Sequence, residues 1–154
     1  MRRGDIDGVH IVPLKLVCNA RGRLMEVQRR DDPHFLGFGQ AYITSTLPGV
    51  VKAWYRHAHQ IDQIALVKGT LKLVLFDSRE NSPTHDVLHE LTINESAPAL
   101  VQIPSGIWHG FQAINEETFS LHLNSEPFQF EAPDEERIAP DDPRIPYRWG
   151  STLR

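Results

Sequence analysis

Several polar residues able to bind or transfer a proton lie close together in the middle of the chain. Tyr55, His57 and His59 alternate along one short segment, Asp62 follows them, and His109 lies in a later segment. Side chains two residues apart on a strand point to the same face, so Tyr55 and His57 are expected to share one face. Such a set can take and return a proton, or it can hold a divalent metal ion between two imidazoles and a carboxylate.

For proton transfer, His57 is the stronger base candidate. An unperturbed His titrates near ~6.5, whereas an unperturbed Tyr titrates near ~10. We expect His57 to accept a proton, Tyr55 to return one or to hold the ligand, and Asp62 to orient a histidine. His109 is expected to face His57. Lys52 has the opposite strand parity to Tyr55, so it reaches the same pocket only if a β-bulge intervenes.

Short runs of alternating residues separated by turn clusters must position these side chains. Many short strands with regular turns predict an all-β sandwich or barrel, of which the jelly roll is one form. We expect one domain over residues 1–154 and a Pro-rich, charged tail over residues 131–154 that is irregular or helical. The predicted strand runs are Gln40–Thr46, Val50–His57, Ile64–Val67, Leu71–Phe76, Val87–Ile93, Leu100–Ile103 and Phe119–Leu123.

Two segments resemble the paired motifs of the cupin β-barrels. The first keeps every spacing of the cupin pattern Gly-x5-His-x-His-x3-4-Glu-x6-Gly, but Tyr replaces the first His and Asp replaces the Glu. The second matches the centre of the pattern Pro-x-Gly-x2-His, and both of its flanks depart. The residues concerned are Gly49, Tyr55, His57, Asp62 and Gly69, followed by Pro104–His109.

A second register of the first motif remains open. His57-Ala58-His59 with Gln63 also gives a His-x-His-x3-Gln pattern, but Gly49 is then two residues too far upstream. The same His-Ala-His resembles that of the sugar 3,4-ketoisomerases. His59 is therefore kept as a candidate ligand contact.

Six segments in order make the chain similar to the nucleotide-sugar branch of the cupins, the dTDP-4-dehydrorhamnose 3,5-epimerase-like proteins. The similarity runs from about Gly8 to Trp149. The segments that carry it are Arg21–Glu26, Phe38–Gln40, Gly49–Trp54, Asp77–Thr84, Ile103–Phe111 and Asp141–Trp149. The resemblance implies a cupin jelly roll, a nucleotide-sugar substrate and a homodimer, and it implies no cofactor.

By position, the resemblance assigns Arg21, Glu26, Gln40 and Lys52 to holding the nucleotide sugar. Lys52 stands where the family usually has Arg, which keeps the charge but loses the bidentate contact to phosphate. Trp54 could stack on a base or sugar, although a place in the core fits a Trp equally well.

The catalytic positions depart from the family. The family's catalytic His falls at Tyr55, and its catalytic Tyr falls near His122 if a small gap is allowed. The Asp that orients the family's His lies in a longer tail. His122 stands between Leu121 and Leu123, so the alternation predicts that it faces solvent, with ligand contact as the alternative.

Three functions follow. The first is an epimerase or ketoisomerase that acts without metal on a nucleotide-linked, by resemblance dTDP-linked, 4-keto-6-deoxy sugar. The second is a metal-dependent cupin with His57, Asp62 and His109 as ligands. The third is a catalytically inactive cupin that binds a nucleotide sugar.

Composition limits the partners. The net charge of -4 and the pI near 6.0 argue against nucleic-acid binding, which needs a basic surface. Cys18 is the single cysteine, which excludes an internal disulfide, and we expect a buried thiol. We expect a cytoplasmic protein, since no stretch resembles a signal peptide or approaches the ~18 apolar residues of a membrane span.

Overall fold

The computed structural model describes residues 2–150, and these residues form strands and loops without a helix. The predicted all-β fold is therefore confirmed. The strands are β1 Arg2–Arg3, β2 His10–Pro13, β3 Leu16–Asn19, β4 Gly22–Met25, β5 Gln40–Thr46, β6 Val51–Arg56, β7 Asp62–Lys68, β8 Thr70–Asp77, β9 Val87–Asn94, β10 Ala99–Ile103, β11 Ile107–Ala113, β12 Thr118–Asn124 and β13 Glu136–Arg137.

Two sheets enclose the main core. One has the strand order β1-β9-β8-β11-β6-β13 and the other β2-β10-β7-β12-β5. Alternate residues of β7, such as Ile64 and Leu66, meet Leu71, Leu73 and Leu75 of β8 in one buried cluster. Side chains from two facing sheets that interdigitate in this way form a β-sandwich, here a jelly roll.

The tail after β12 covers the outer face of the six-stranded sheet. Trp54 of β6 and Trp108 of β11 are buried there with Ile145, and Tyr147 and Trp149 pack against them. Within the tail, β13 adds a short antiparallel pairing to β6 at the edge of this sheet. The tail is thus irregular and wraps the barrel, as the sequence predicts.

A β-bulge in β6 changes the side to which its residues point. His109 pairs with Tyr55 and Phe111 pairs with Lys52, so three steps along β6 match two along β11. The extra residue brings the side chains of Lys52 and Tyr55 to the same face of the sheet. The sequence analysis required such a bulge for Lys52 to reach the pocket of Tyr55. Gly110 lies at this irregularity, where an added Cβ would overlap Ala53.

The hairpin of β3 and β4 forms a separate two-stranded sheet. Val17 and Leu24 are exposed on it, and so is Cys18. The expectation of a buried thiol was therefore wrong, because within residues 2–150 no second layer covers this face of the hairpin.

A charged turn follows β8. The Asp77 carboxylate is fully buried and accepts hydrogen bonds from Arg79, Ser82 and Thr84 at 2.6–2.8 Å. Burial disfavours the charged carboxylate, but these donors outweigh burial and hold the pKa of Asp77 well below its usual range. This network explains the Asp-x-Arg and Ser-Pro-Thr pattern seen in the sequence.

Candidate active site

A cavity of about 290 Å³ lies between the two sheets at one end of the barrel, and a second cavity of about 440 Å³ adjoins it. They share Tyr42, His57, Glu135 and Arg137. We call them the inner and outer cavities. The inner cavity is lined by Tyr42, Thr44, Lys52, Tyr55, His57, Asp62, Ile64, His109, Phe111, His122, Glu135 and Arg137.

Three buried residues meet at the wall of the inner cavity. Asp62 begins β7, His57 follows β6, and His109 lies in β11. One carboxylate oxygen, Asp62 Oδ2, lies 2.8 Å from His109 Nε2 and 3.2 Å from His57 Nε2. We refer to these three residues as the His-Asp-His centre. The other carboxylate oxygen, Oδ1, accepts a hydrogen bond of 2.5 Å from Gln60 Nε2.

Backbone carbonyls bind the remaining nitrogen of each histidine. His109 Nδ1 lies 3.1 Å from the carbonyl oxygen of Ile107, and His57 Nδ1 is hydrogen-bonded to the carbonyl oxygen of Asp134. The Asp134 carboxylate accepts 2.8–2.9 Å hydrogen bonds from the backbone N–H groups of residues 58–60. The tail therefore fixes the loop that carries His57.

Contacts within the His-Asp-His centre shift the pKa values of Asp62 and His57 in opposite directions. Burial disfavours ionisation of Asp62, but hydrogen bonds from His109 and His57 outweigh it and hold the pKa of Asp62 well below its usual range. Burial likewise opposes protonation of His57, yet Asp62 raises the pKa of His57 above its usual value. Both nitrogens of His57 are engaged within the protein, Nδ1 by the carbonyl oxygen of Asp134 and Nε2 by Asp62 Oδ2. The expectation that His57 acts as the base stays a prediction.

Tyr55 lies beside the centre, with its ring centroid 6.2 Å from that of His109. The Arg137 guanidinium stands 5.3 Å from the Tyr55 ring centroid and is paired with Glu135. Burial raises the pKa of the Tyr55 hydroxyl, so it stays protonated at neutral pH. Tyr55 can thus give a proton to a ligand in the inner cavity.

His122 faces the inner cavity from β12 and is 4% exposed. The prediction that it faces solvent was wrong. Its Nε2 lies 3.0 Å from Thr44 Oγ1, and its ring stacks on Tyr42 at 4.7 Å with a tilt of 10°. Burial lowers the pKa of His122 to about 4, so the ring is neutral at physiological pH. Within residues 2–150 no hydrogen bond forms at its Nδ1.

The other candidate residues fall in different places. Lys52 lines the inner cavity, where its Nζ donates a 2.6 Å hydrogen bond to the carbonyl oxygen of Ser45. Gln40 and His59 line the outer cavity. Trp54 has no exposed surface, because its side of β6 faces the second core, and this corrects its placement among ligand contacts.

Two further candidates lie outside both cavities of the single chain. Arg21 is exposed in the turn between β3 and β4, and Glu26 lines a separate groove beside Val27 and Leu100. Arg21 and Glu26 are expected to contact the ligand once two chains form a dimer, and this stays a prediction.

Sequence reasoning missed several lining residues. Tyr42 and Thr44 share the parity of Gln40 on β5, so alternation could have found them. Asp134 and Arg137 come from the tail after β12, where no periodicity in the sequence indicates which side chain turns inward. Among residues 2–150, no helix is long and apolar enough to cross a membrane.

Comparison with known proteins identifies relatives over nearly the whole chain. The sequence model of the family described as dTDP-4-dehydrorhamnose 3,5-epimerase matches residues 3–154. The probable low-salt glycan biosynthesis epimerase Agl13 of Haloferax volcanii is 40% identical over 153 residues, covering 97% of both chains. The spore coat polysaccharide biosynthesis protein SpsL of Bacillus subtilis is 33% identical over 150 residues, covering 97% of this chain and 99% of SpsL.

Solved structures agree with the sequence relatives. The dTDP sugar isomerase of Desulfovibrio desulfuricans superposes with a TM-score of 0.89 at 31% identity, covering 94% of this chain and 92% of that one. NovW of Streptomyces spheroides, described as a 4-keto-6-deoxy sugar epimerase, superposes with a TM-score of 0.85 at 25% identity, covering 99% and 80%. The chain therefore belongs to the dTDP-4-dehydrorhamnose 3,5-epimerase family.

Proposed function

We propose that this protein is an epimerase or isomerase that moves a proton next to the ketone of a dTDP-linked 4-keto-6-deoxy sugar. The observation that carries the proposal is the inner cavity, in which Tyr55, His122 and Lys52 meet the His-Asp-His centre. Family membership supports the substrate class, since NovW is described as acting on a 4-keto-6-deoxy sugar.

Removing a proton next to a ketone needs a base, an acid and a group that stabilises the enolate. His122 takes the proton, because its ring is neutral and its Nδ1 is free of protein hydrogen bonds in the described chain. The negative charge of a bound nucleotide sugar raises the pKa of His122 towards neutral pH. Tyr55, on the opposite sheet, returns a proton from its hydroxyl.

The His-Asp-His centre and the Lys52 ammonium stabilise the charge that develops on the ketone oxygen. Both line the inner cavity with Tyr55 and His122. His57 is thus catalytic through this centre, and Tyr55 is catalytic as the acid. Preorganised positive groups in a cavity shielded from water are effective stabilisers of an oxyanion.

Deuterium exchange tests the proposal. Incubated in deuterated water with a dTDP-linked 4-keto-6-deoxy sugar, the wild-type protein is expected to place deuterium on carbon next to the ketone. Tyr55→Phe and His122→Gln should each slow exchange or product formation by about 10²-fold. His10→Gln is the matched control, because His10 is exposed on β2 and lines neither cavity. Tight binding without any exchange would instead favour the inactive nucleotide-sugar-binding protein.

The nucleotide is placed in the outer cavity. Gln40 and Phe128 line it, and it opens directly onto the inner cavity at Tyr42. We expect Arg21 and Glu26 to reach the outer cavity of a partner subunit. Calorimetric titration of dTDP should show weaker binding for Arg21→Ala, and unchanged binding would remove Arg21 from the site.

A homodimer is the proposed assembly. The outer surface of β5 and its surroundings expose large apolar side chains, including Phe38, Ile43 and Leu47, and the β3–β4 hairpin adds Leu24. Exposed apolar patches of this kind mark interaction surfaces. Light scattering should give twice the chain mass of 17.5 kDa, whereas a monomeric mass would refute the dimer. A cytoplasmic location remains part of the proposal, since an exposed single cysteine suits a reducing compartment.

A further inference from the structure

Gln60 lies between the His-Asp-His centre and the outer cavity. It follows β6 in the loop that carries His57, it is 7% exposed, and it lines the outer cavity. Its Nε2 donates a 2.5 Å hydrogen bond to Asp62 Oδ1, and its backbone N–H donates a 2.8 Å hydrogen bond to the Asp134 carboxylate. The residue is therefore held in place through both its side chain and its backbone.

The contact with Asp62 fixes the direction in which the amide group of Gln60 points. A carboxylate oxygen only accepts hydrogen bonds, so the amide atom that faces Asp62 Oδ1 is the nitrogen. The same nitrogen lies 3.5 Å from His57 Nε2. The amide oxygen, Oε1, points away from the centre, and within residues 2–150 no protein donor binds it. Gln60 thus presents an unpaired acceptor to the outer cavity.

Only a hydrogen-bond donor can satisfy this oxygen. In a dTDP-linked 4-keto-6-deoxy sugar, the oxygens of the diphosphate and of the ketone are acceptors. The donors are the hydroxyls of the sugar, the free hydroxyl of the ribose and the N–H group of the base. The diphosphate therefore does not lie against Gln60 Oε1.

The position of Gln60 selects the sugar among these donors. In the proposed function the His-Asp-His centre faces the ketone oxygen, and Gln60 contacts Asp62 and His57 of that centre. A hydroxyl that reaches Oε1 at the same time belongs to the same sugar ring, because the whole diphosphate separates the ribose and the base from the ketone. His57 lines both cavities, so a sugar bound beside it in the inner cavity borders Gln60.

We propose that Gln60 Oε1 accepts a hydrogen bond from the hydroxyl on C2 or C3 of the substrate sugar, and so selects hydroxylated 4-keto sugars against their deoxy analogues. A bound sugar excludes solvent from this oxygen, so an analogue without the hydroxyl leaves a buried acceptor unpaired. A site built to bind a hydroxyl rejects the analogue that lacks it for this reason. The inference deepens the proposed function and rests on it, because that function places the ketone at the centre.

Deuterium exchange on sugar analogues tests the selection. Wild-type protein should exchange the parent sugar with a kcat/KM about 10- to 100-fold above that of the 2-deoxy or the 3-deoxy analogue, and the analogue that loses reactivity identifies the hydroxyl. In Gln60→Met, which keeps the size of the side chain but not the acceptor, this ratio should fall below about threefold. The variant also loses the contact with Asp62, which slows the reaction of every sugar, so the ratio is the readout. His10→Gln should keep the wild-type ratio.

A binding measurement on the wild type needs neither the variant nor turnover. The ligands are dTDP-linked 6-deoxyglucose, which has no ketone, and its analogues with hydrogen or fluorine in place of the C2 or C3 hydroxyl. Fluorine donates no hydrogen bond, so for one of the two positions both replacements should weaken binding in calorimetry about tenfold or more.

The outcomes separate this inference from the proposed function. Equal affinities for all these ligands, or fluoro analogues that bind as tightly as the parent, would overturn the role of Gln60. So would an exchange ratio that is the same in wild type and Gln60→Met. A protein that exchanges no sugar but still prefers the hydroxylated ligand would refute the reaction and support the contact with Gln60.

Discussion

The neutrality of His122 makes the folded protein less stable in weak acid. The pKa of His122 is about 4 in the folded protein because the ring is buried, and it is about 6.5 in the unfolded chain. A depressed histidine pKa means that the unfolded chain binds the proton first as pH falls. From these values the free energy of unfolding should fall by about 2 kcal/mol between pH 7 and pH 5, and by about 3 kcal/mol at pH 4.

The assay is urea unfolding at pH 7 and at pH 5, in buffer with a chelator, for wild type and His122→Gln. The variant also loses the stacking on Tyr42, so its stability at pH 7 is not the readout. The readout is the loss between the two pH values, which should be smaller in the variant by about 2 kcal/mol. His59→Gln, at an exposed position, should keep the full wild-type loss.

NMR gives a direct check on the same reasoning. The ring signals of His122 should stay those of the neutral form down to about pH 4. An equal loss of stability in wild type and His122→Gln, with ring signals that titrate near pH 6.5, would refute the argument. It would mean that water or a neighbouring group compensates the buried imidazole, and His122 would lose its role as a neutral base.

Three further changes test the supports of the site. Asp77→Ala should lower the free energy of unfolding by about 3 kcal/mol in denaturant, because it leaves the donors of Arg79, Ser82 and Thr84 unpaired; a loss below half of that would contradict the network. Asp134→Ala should slow deuterium exchange at temperatures well below its melting temperature, because the carboxylate fixes the loop of His57, and Asp134→Asn should partly restore the rate. Equal exchange rates in wild type and Asp134→Ala would show that the loop needs no such support. Gly110→Ala should destabilise by about 2 kcal/mol in urea, since the new Cβ meets Ala53; an unchanged midpoint would show that the bulge yields.

The sequence predicted the barrel because period-two alternation is a property of every strand, whatever its neighbours. The sequence prediction was wrong about which face of β12 is buried. Leu121 and Leu123 were taken to face the core, yet Ser120, His122 and Asn124 are the buried residues. Apolar side chains normally identify the inner face, but the end of this barrel holds a polar cavity, so the usual rule is reversed there.

The site was predictable where it rests on local spacing and not where it rests on distant chain segments. His57, Asp62 and His109 follow motif spacing, and the structure brings them together. The sequence indicated that Lys52 reaches the pocket of Tyr55 only if β6 contains a bulge. It could not predict that the bulge is present, because the bulge depends on the close packing of β11 against β6. The role of Asp134 required knowledge of where an irregular tail runs, which no periodic pattern supplies.

One strand connects these features. Successive residues of β6 point to opposite faces of the sheet: Trp54 is buried under the tail, whereas Tyr55 faces the inner cavity. The tail that covers Trp54 pairs with β6 as β13, and Asp134, just before β13, holds the loop of His57. Packing on the outer face of the sheet therefore sets the position of a residue of the site on the inner face. A change that loosens Trp54 should for this reason disturb His57 without touching the cavity wall.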